Sequence, residues 1–122
     1  MRVLITAVLA TILVGPVLAA GAEPEVGARV WAKCSACHSA DPAVKSMLGP
    51  NLFGLMGRKV GSLDGYNYSP AMKSAGFVWT PEMLQRFLTA PQAAIPGTRM
   101  AFSGLKDPAD RAAIASFLSS RH

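Results

Sequence analysis

The sequence has few of the side chains from which proteins usually build metal sites. Only two cysteines, Cys34 and Cys37, and two histidines, His38 and the terminal His122, occur among its 122 residues. A structural zinc site takes four such ligands, and here the fourth would have to be the histidine at the chain terminus, which disfavours such a site. No run of β-branched strand residues surrounds the two cysteines, which disfavours a thioredoxin-like redox pair.

Repeats, low-complexity tracts and linkers are also missing, and the length limits the chain to one domain. The net charge is +5, but the basic residues are scattered, whereas nucleic-acid binding usually needs a basic patch. We therefore interpret the charge as a field that attracts an acidic protein partner, and we expect no nucleic-acid binding.

What the sequence does contain is the motif Cys34-Ser35-Ala36-Cys37-His38. Two cysteines separated by two residues and followed directly by histidine form the attachment signature of a c-type haem. The two thiols can add to the two vinyl groups of the porphyrin, and the histidine is then held beneath the iron as a ligand. We predict one haem c, bound covalently through two thioethers, with no cysteine left for a disulfide.

The N-terminal residues have the pattern of a secretion signal. A basic start precedes an apolar run from Val3 to Val14, and Ala20-Gly21-Ala22 has the small residues of a cleavage site. We predict a cleavable signal peptide at 1–22, a single domain at 23–122 and a bacterial periplasmic location. An uncleaved anchor is the alternative, because the residues that follow Arg2 are uncharged over a length that just spans a bilayer.

Capping signals and helical spacing of apolar residues predict an all-α domain of short helices. The predicted helices run from about Glu25 to Ser39, from Pro70 to near Gly76, from Pro81 until Pro91 closes the helix, and onward from Pro108. Irregular segments at 41–65 and 92–104 lie between them, and so long a loop makes sense if it wraps a cofactor. The first and last helices should cross. The faces that meet carry Gly27, Trp31, Ile114 and Phe117.

His38 would leave one axial position of the iron for a second ligand. Met100 follows a non-helical segment, 95–99, that can lay a side chain against a ring from the side opposite His38. Methionine is also a common core residue, however. Spacing alone does not separate Met100 from the other candidates. These are Met47, Met56, Met72, Met83 and, at the frayed terminus, His122.

Further motifs make the chain resemble the class I cytochromes c, the group of mitochondrial cytochrome c and bacterial cytochrome c2. Besides CSACH, the matching strings are Gly49-Pro50-Asn51-Leu52, Gly57-Arg58-Lys59, Gly65-Tyr66-x-Tyr68, Trp79 and Ile95-Pro96-Gly97-Thr98-Arg99-Met100-x-Phe102-x-Gly104. The resemblance extends from Gly27 to about Leu118. It implies the cytochrome c fold, in which short helices surround one haem.

The resemblance also implies roles for individual residues. His38 and Met100 would be the axial ligands, and the Pro50 carbonyl would accept a hydrogen bond from the other ring nitrogen of His38. A haem propionate would be held by Arg58, Tyr68 and Trp79. That assignment suits a buried carboxylate, which needs donors and preferably a cation. Without the resemblance, core packing of the two aromatic residues and a surface position for the arginine would be expected.

The chain departs from the family pattern at several positions. By the resemblance, Phe87 stands where the family often has a tyrosine near the ligand sulfur, and Met72 stands where mitochondrial members have an asparagine. The reduction potential and the internal water molecules of this protein therefore need not match those of the family. Gln92 and Ala93 replace two lysines of the family pattern, so fewer basic residues are expected around the haem edge. The remaining candidates for basic residues there are Lys33, Lys45, Arg99 and Lys106.

Motif and resemblance together predict a one-electron carrier rather than an enzyme. The haem edge near Cys37 and Phe102 would exchange electrons with a quinol–cytochrome c reductase, a terminal oxidase, a reaction centre or a dehydrogenase, through small, short-lived interfaces. We expect a monomer that meets the membrane only through such partners, unless the signal is retained. The alternatives are a dedicated haem subunit of a periplasmic dehydrogenase and a haem peroxidase or ligand-binding protein.

Overall fold

The computed structural model describes Gly15 and residues 24–122, so the predicted signal peptide at 1–22 lies almost wholly outside the described residues. Five helices occur in this part of the chain. They are α1 (Pro24–Trp31), α2 (Pro70–Lys73), α3 (Pro81–Thr89), α4 (Pro91–Ala94) and α5 (Pro108–Ser119). The β pairing recorded among these residues is one isolated antiparallel bridge between Lys59 and Val78. None of the helices in the described part has the length and hydropathy to cross a membrane. The predicted all-α class is confirmed.

Local sequence signals explain where the helices begin. Each helix starts with proline, whose fixed backbone angle suits the first turn and whose missing N–H is not needed there. Side chains of Ser69, Thr80 and Asp107 cap α2, α3 and α5 by accepting hydrogen bonds from backbone N–H groups that would otherwise be unpaired. The three helix starts predicted at these caps are therefore confirmed.

Two helix ends and one segment differ from the predictions. α1 ends at Trp31 rather than Ser39, and the chain continues in tight turns in which the amides of Cys37 and His38 both donate to the Cys34 carbonyl, at 3.1 and 3.0 Å. α2 ends at Lys73, ahead of Gly76. The segment after α3 is not wholly irregular, because Pro91 opens the short helix α4 as well as ending α3.

The first and last helices cross at Gly27, as predicted. A Cβ added there would lie 3.0 Å from the Phe117 Cβ and 3.1 Å from the Ala113 carbonyl oxygen, so the two backbones approach closely. Trp31 stacks on Phe117 with ring centroids 5.4 Å apart. α5 also packs against α3, and its residue Ile114 is only 1% exposed. These contacts form one side of a common core.

The long segment between His38 and Ser69 is held by hydrogen bonds rather than by helix. The amide of Gly49 donates to the Cys37 carbonyl at 2.8 Å. Asn51, 9% exposed, donates through its side-chain amide to the carbonyls of Asp41 and Val44, at 2.8 and 2.6 Å. The Asn51 side chain therefore ties together a loop that has no regular structure of its own.

Candidate haem site

A cavity of about 470 Å³ lies at the centre of the described fold, within the range typical of cofactor sites. Residues that are far apart in the sequence converge on it. All eight residues of the predicted site line it: Cys34, Cys37, His38, Pro50, Arg58, Tyr68, Trp79 and Met100. The remaining wall is mainly apolar and includes core residues of α3 and α5.

The imidazole of His38 is oriented by one hydrogen bond and one close backbone contact. Its Nδ1 lies 2.7 Å from the carbonyl oxygen of Pro50. A carbonyl only accepts, so Nδ1 carries the proton and Nε2 keeps a free lone pair. Burial lowers the pKa of His38, while the bond to Pro50 raises it, and the net shift is downward. The neutral imidazole that a metal ligand requires is therefore favoured.

Gly49 allows this arrangement. A Cβ at this position would meet the His38 ring at Cε1, and would lie 2.7 Å from Nδ1 and 2.8 Å from Nε2. These distances are too short for any side chain, so only glycine fits against the imidazole. The Gly49-Pro50 pair thus supports the ring by contact from one residue and by hydrogen bonding from the next.

The two cysteines occupy the turns that follow α1. Both thiols are free, with Cys37 exposed and Cys34 partly buried. Burial raises the pKa of the Cys34 thiol more than the neighbouring Lys33 lowers it. Because both residues line the cavity that also contains His38, two thioether links could form from one side of a ring placed there.

Of the methionines considered as iron ligands, Met72 and Met100 line the cavity. Met56 and Met83 also pack against the hydrophobic core but are not part of the cavity lining, and Met47 is 49% exposed. His122 is exposed at the terminus, where its Nδ1 lies 3.1 Å from the Ser119 carbonyl. Residue spacing leaves four other methionines and His122 as alternatives to Met100, and of these only Met72 lines the cavity.

Residues 95–104, here called the methionine strap, run from α4 past the cavity. Thr98 is 6% exposed, and Arg99 donates to the Asn67 carbonyl at 2.9 Å. The side-chain amide of Gln92 donates to the carbonyls of Thr98 and Met100, at 2.9 and 3.1 Å. Sequence reasoning treated Gln92 only as a lost lysine and missed this contact.

The three residues expected near a propionate are brought to one wall. Arg58 is partly buried rather than on the open surface, and its Nη2 donates to the Asn51 carbonyl at 2.9 Å. Burial lowers the pKa of Arg58 and raises that of Tyr68. Tyr68 and Trp79 are each 8% exposed. A cation and two polar aromatic side chains at a buried wall are suitable partners for a carboxylate.

The basic residues expected around the haem edge divide into two groups. Lys33 and Arg99 line the cavity, whereas Lys45 and Lys106 are exposed elsewhere. Lys33 forms an ion pair with Asp110, with Nζ and Oδ2 3.5 Å apart. Of the four basic residues expected around the haem edge, two therefore lie next to the cavity, and one of these two is paired with an acid.

A family model for cytochrome c matches residues 24–122. The chain belongs to the cytochrome c family. Cytochrome c2 of Rhodomicrobium vannielii is 42% identical to this cytochrome over 103 residues, which are 84% of this chain and 82% of that protein. Cytochrome c-554 of Methylosinus trichosporium is 38% identical over 119 residues, 98% of this chain and 89% of that protein. The resemblance to the bacterial cytochrome c2 group is confirmed.

A solved structure gives the same fold. Cytochrome cH from Methylobacterium extorquens matches this cytochrome with a TM-score of 0.74 and 36% identity, covering 80% of this chain and 97% of that one. The family binds haem c covalently, and Cys34 and Cys37 with His38 form its attachment motif, so the predicted cofactor is confirmed. The chain's own geometry fits the group, because an oriented imidazole, two free thiols and an apolar wall surround one cavity.

Proposed function

We propose that this cytochrome c is a one-electron carrier of the bacterial periplasm, with His38 and Met100 as axial ligands and Cys34 and Cys37 as thioether attachments. The observation that carries the proposal is the convergence of these four residues on one cavity. The haem would supply a one-electron change between ferric and ferrous iron. The chain would hold the cofactor in a constant environment while its charge changes.

Met100 is a better axial ligand than Met72 because of the segment that carries it. Met100 lies in the methionine strap, which is held at both sides through Gln92 and Arg99. Met72 lies inside α2, with its amide bonded to the Ser69 cap. The match of residues 95–104 to the family's ligand segment supports the same choice.

The wall of the cavity would favour the ferrous state. Leu84, Phe87 and Leu88 of α3 and Ile114 of α5 line it, and apolar surroundings disfavour the additional positive charge of ferric iron. A methionine sulfur acts in the same direction. Arg58, Tyr68 and Trp79 would pair with a propionate and so keep a carboxylate charge satisfied inside the fold.

The partners we propose are membrane complexes and periplasmic dehydrogenases with acidic docking surfaces. A quinol–cytochrome c reductase, a terminal oxidase or a photosynthetic reaction centre fits this description. The net charge of +5 on the whole chain would attract such surfaces, and Lys33 and Arg99 lie beside the cavity where the electron would leave. The signal peptide predicted at 1–22 would bring the protein to these partners.

The axial ligands can be tested by replacing each cavity methionine in the haem-loaded protein. Met100→Ala should remove the weak sulfur-to-iron band of the oxidised spectrum and allow rapid carbon monoxide binding after reduction. Met72→Leu is the matched control, because it removes the other cavity sulfur and keeps an apolar side chain of similar size. It should retain the band and resist carbon monoxide. If Met72→Leu loses the band and Met100→Ala retains it, the iron ligand is Met72. A wild-type protein that binds carbon monoxide rapidly would contradict the carrier proposal.

A second candidate function is a dedicated subunit that stays bound to one dehydrogenase. Val44, Met47 and Leu48 are exposed by 41%, 49% and 79%, all within one short stretch, and Leu48 also lines the cavity. Exposed apolar groups of this kind often mark protein contacts. Gel filtration with a candidate dehydrogenase separates the two functions, because a subunit would co-elute at submicromolar concentration and a shuttle would not.

A haem peroxidase is less well supported than either candidate. Such an enzyme needs an open iron position that a peroxide can reach, with acid–base groups beside it. A sulfur ligand from Met100 would occupy that position, so the Met100→Ala comparison also tests this alternative.

A further inference from the structure

The side chain of Gln92 makes two hydrogen bonds to the main chain of the methionine strap. Its Nε2 donates to the Thr98 carbonyl at 2.9 Å and to the Met100 carbonyl at 3.1 Å. The two N–H groups of one amide can serve two acceptors, so both contacts can form together. Gln92 thereby connects α4 directly to the residue proposed as the iron ligand.

The backbone that carries Gln92 is held in position by its neighbours. Pro91, the residue before it, is buried, and the amides of Ala93 and Ala94 both donate to the Ala90 carbonyl, at 3.1 and 3.0 Å. α4 also packs against α3. A side chain on this short helix is therefore positioned by the core rather than by the strap itself.

The other main-chain contacts of Met100 are local to the strap. Its amide lies 3.4 Å from the Thr98 Oγ1, which is a long hydrogen bond, and its carbonyl accepts from the Phe102 amide at 3.0 Å. The neighbouring Arg99 holds the strap to Asn67, but through its own side chain. Among the described residues, Gln92 makes the hydrogen bond that ties the Met100 main chain to an element outside the strap.

We propose that Gln92 is a positioning residue for the axial methionine: by bonding the carbonyls of Thr98 and Met100, it keeps the strap closed and the Met100 sulfur at the iron. The inference rests on the proposed ligation by Met100. A thioether is neutral and has no charge attraction to the iron, so its occupancy depends on how firmly the chain delivers it. Loss of the Gln92 bonds should let the strap open more often.

The test uses an external ligand that competes with Met100 in the oxidised haem-loaded protein. Imidazole affinity is measured by optical titration for the wild type, Gln92→Leu and Gln92→Glu. The leucine variant removes the amide, and the glutamate variant keeps the length while removing both donors at neutral pH. Both should bind imidazole on the order of tenfold more tightly, the effect on an equilibrium constant of about two ordinary hydrogen bonds. Amide hydrogen exchange at Met100 and Phe102 should accelerate by a similar factor.

Gln85→Leu is the matched control. Gln85 lies on α3, and its side-chain amide makes no hydrogen bond within the part of the chain that the structure describes, so the same substitution there should leave imidazole affinity and strap exchange unchanged. An equal change in Gln85→Leu would overturn the specific role of Gln92.

The outcomes also separate this inference from the proposed function. If the wild type shows the sulfur-to-iron band and both Gln92 variants bind imidazole as weakly as the wild type, the role of Gln92 is wrong and ligation by Met100 stands. If the wild type lacks the band, both proposals fail.

Discussion

At the scale of single residues, Gly49 has the most direct influence on the proposed ligand His38. Replacement by alanine would place a Cβ 2.7 Å from Nδ1 and 2.8 Å from Nε2, so the imidazole or the backbone must move. We expect Gly49→Ala to weaken the bond to Pro50 and to destabilise the haem-loaded protein by about 1–3 kcal/mol. The melting temperature of the variant should be lower than that of the wild type, and its reduction potential should differ from the wild-type value.

Gly54→Ala provides the comparison for this prediction. Gly54 has a φ of +67° and no atom within 4 Å of an added Cβ, so alanine there costs only backbone strain, about 1–2 kcal/mol. Its reduction potential should remain that of the wild type. A Gly49→Ala protein with an unchanged potential would show that His38 tolerates the added methyl group.

Single residues also show where sequence reasoning was insufficient. The motif around Cys34, Cys37 and His38 could be interpreted directly, because its chemistry depends on spacing along the chain. Asn51 and Gln92 could not, since an amide gains a role only from the carbonyls that folding brings near it. A polar residue in an otherwise apolar, irregular segment was the available signal, and it does not specify partners.

At the scale of helices, the crossing of α1 and α5 depends on the absence of a side chain at Gly27. Gly27→Val would place methyl groups against Phe117 and the Ala113 carbonyl, which already lie 3.0 and 3.1 Å from an added Cβ. We expect the two helices to separate and the free energy of unfolding to fall by about 1–3 kcal/mol or more. Chemical denaturation of the haem-loaded protein measures this.

Ala28→Val is the control for the helix prediction. Ala28 is the exposed neighbour of Gly27 on α1, so the substitution introduces the same β-branched side chain without entering the crossing. It should cost only the difference in helix propensity, which is about 0.5 kcal/mol or slightly more. Equal losses in the two variants would contradict the close crossing, because helix propensity by itself favours valine over glycine at position 27.

Helix starts were predicted better than helix ends for a physical reason. Proline and a capping side chain determine a start locally, as at Thr80 and Pro81. The end of α1 is different, because the chain must turn so that Cys34, Cys37 and His38 all reach the cavity. That requirement is tertiary, and helical spacing alone extended the helix too far.

At the scale of the whole molecule, charge should control how fast the protein exchanges electrons. The net charge is +5 on the full chain and +4 without residues 1–22, so in either form reduced protein should transfer an electron to the hexacyanoferrate(III) anion more slowly as salt is added. Transfer to the cationic tris(phenanthroline)cobalt(III) ion should become faster. Both follow from screening, whose range is about 10 Å at 0.1 M ionic strength. Stopped-flow kinetics at several salt concentrations measure the two slopes.

The position of the charges can be tested in the same experiment. Lys33 lines the cavity and Lys106 does not, so Lys33→Gln should reduce the salt dependence more than Lys106→Gln. Equal effects would mean that net charge, rather than charge beside the haem, governs the encounter.

The sequence by itself determined the cofactor, the starts of α2, α3 and α5 and the likeness to one family, because these depend on residues that are adjacent or regularly spaced. Tertiary structure decided which distant residues meet. It brought Met72 and Met100, but not Met56 or Met83, to the cavity, and it gave Gln92 its two carbonyl partners. Such convergence follows from the packing of the whole chain around one cavity, which no local pattern specifies.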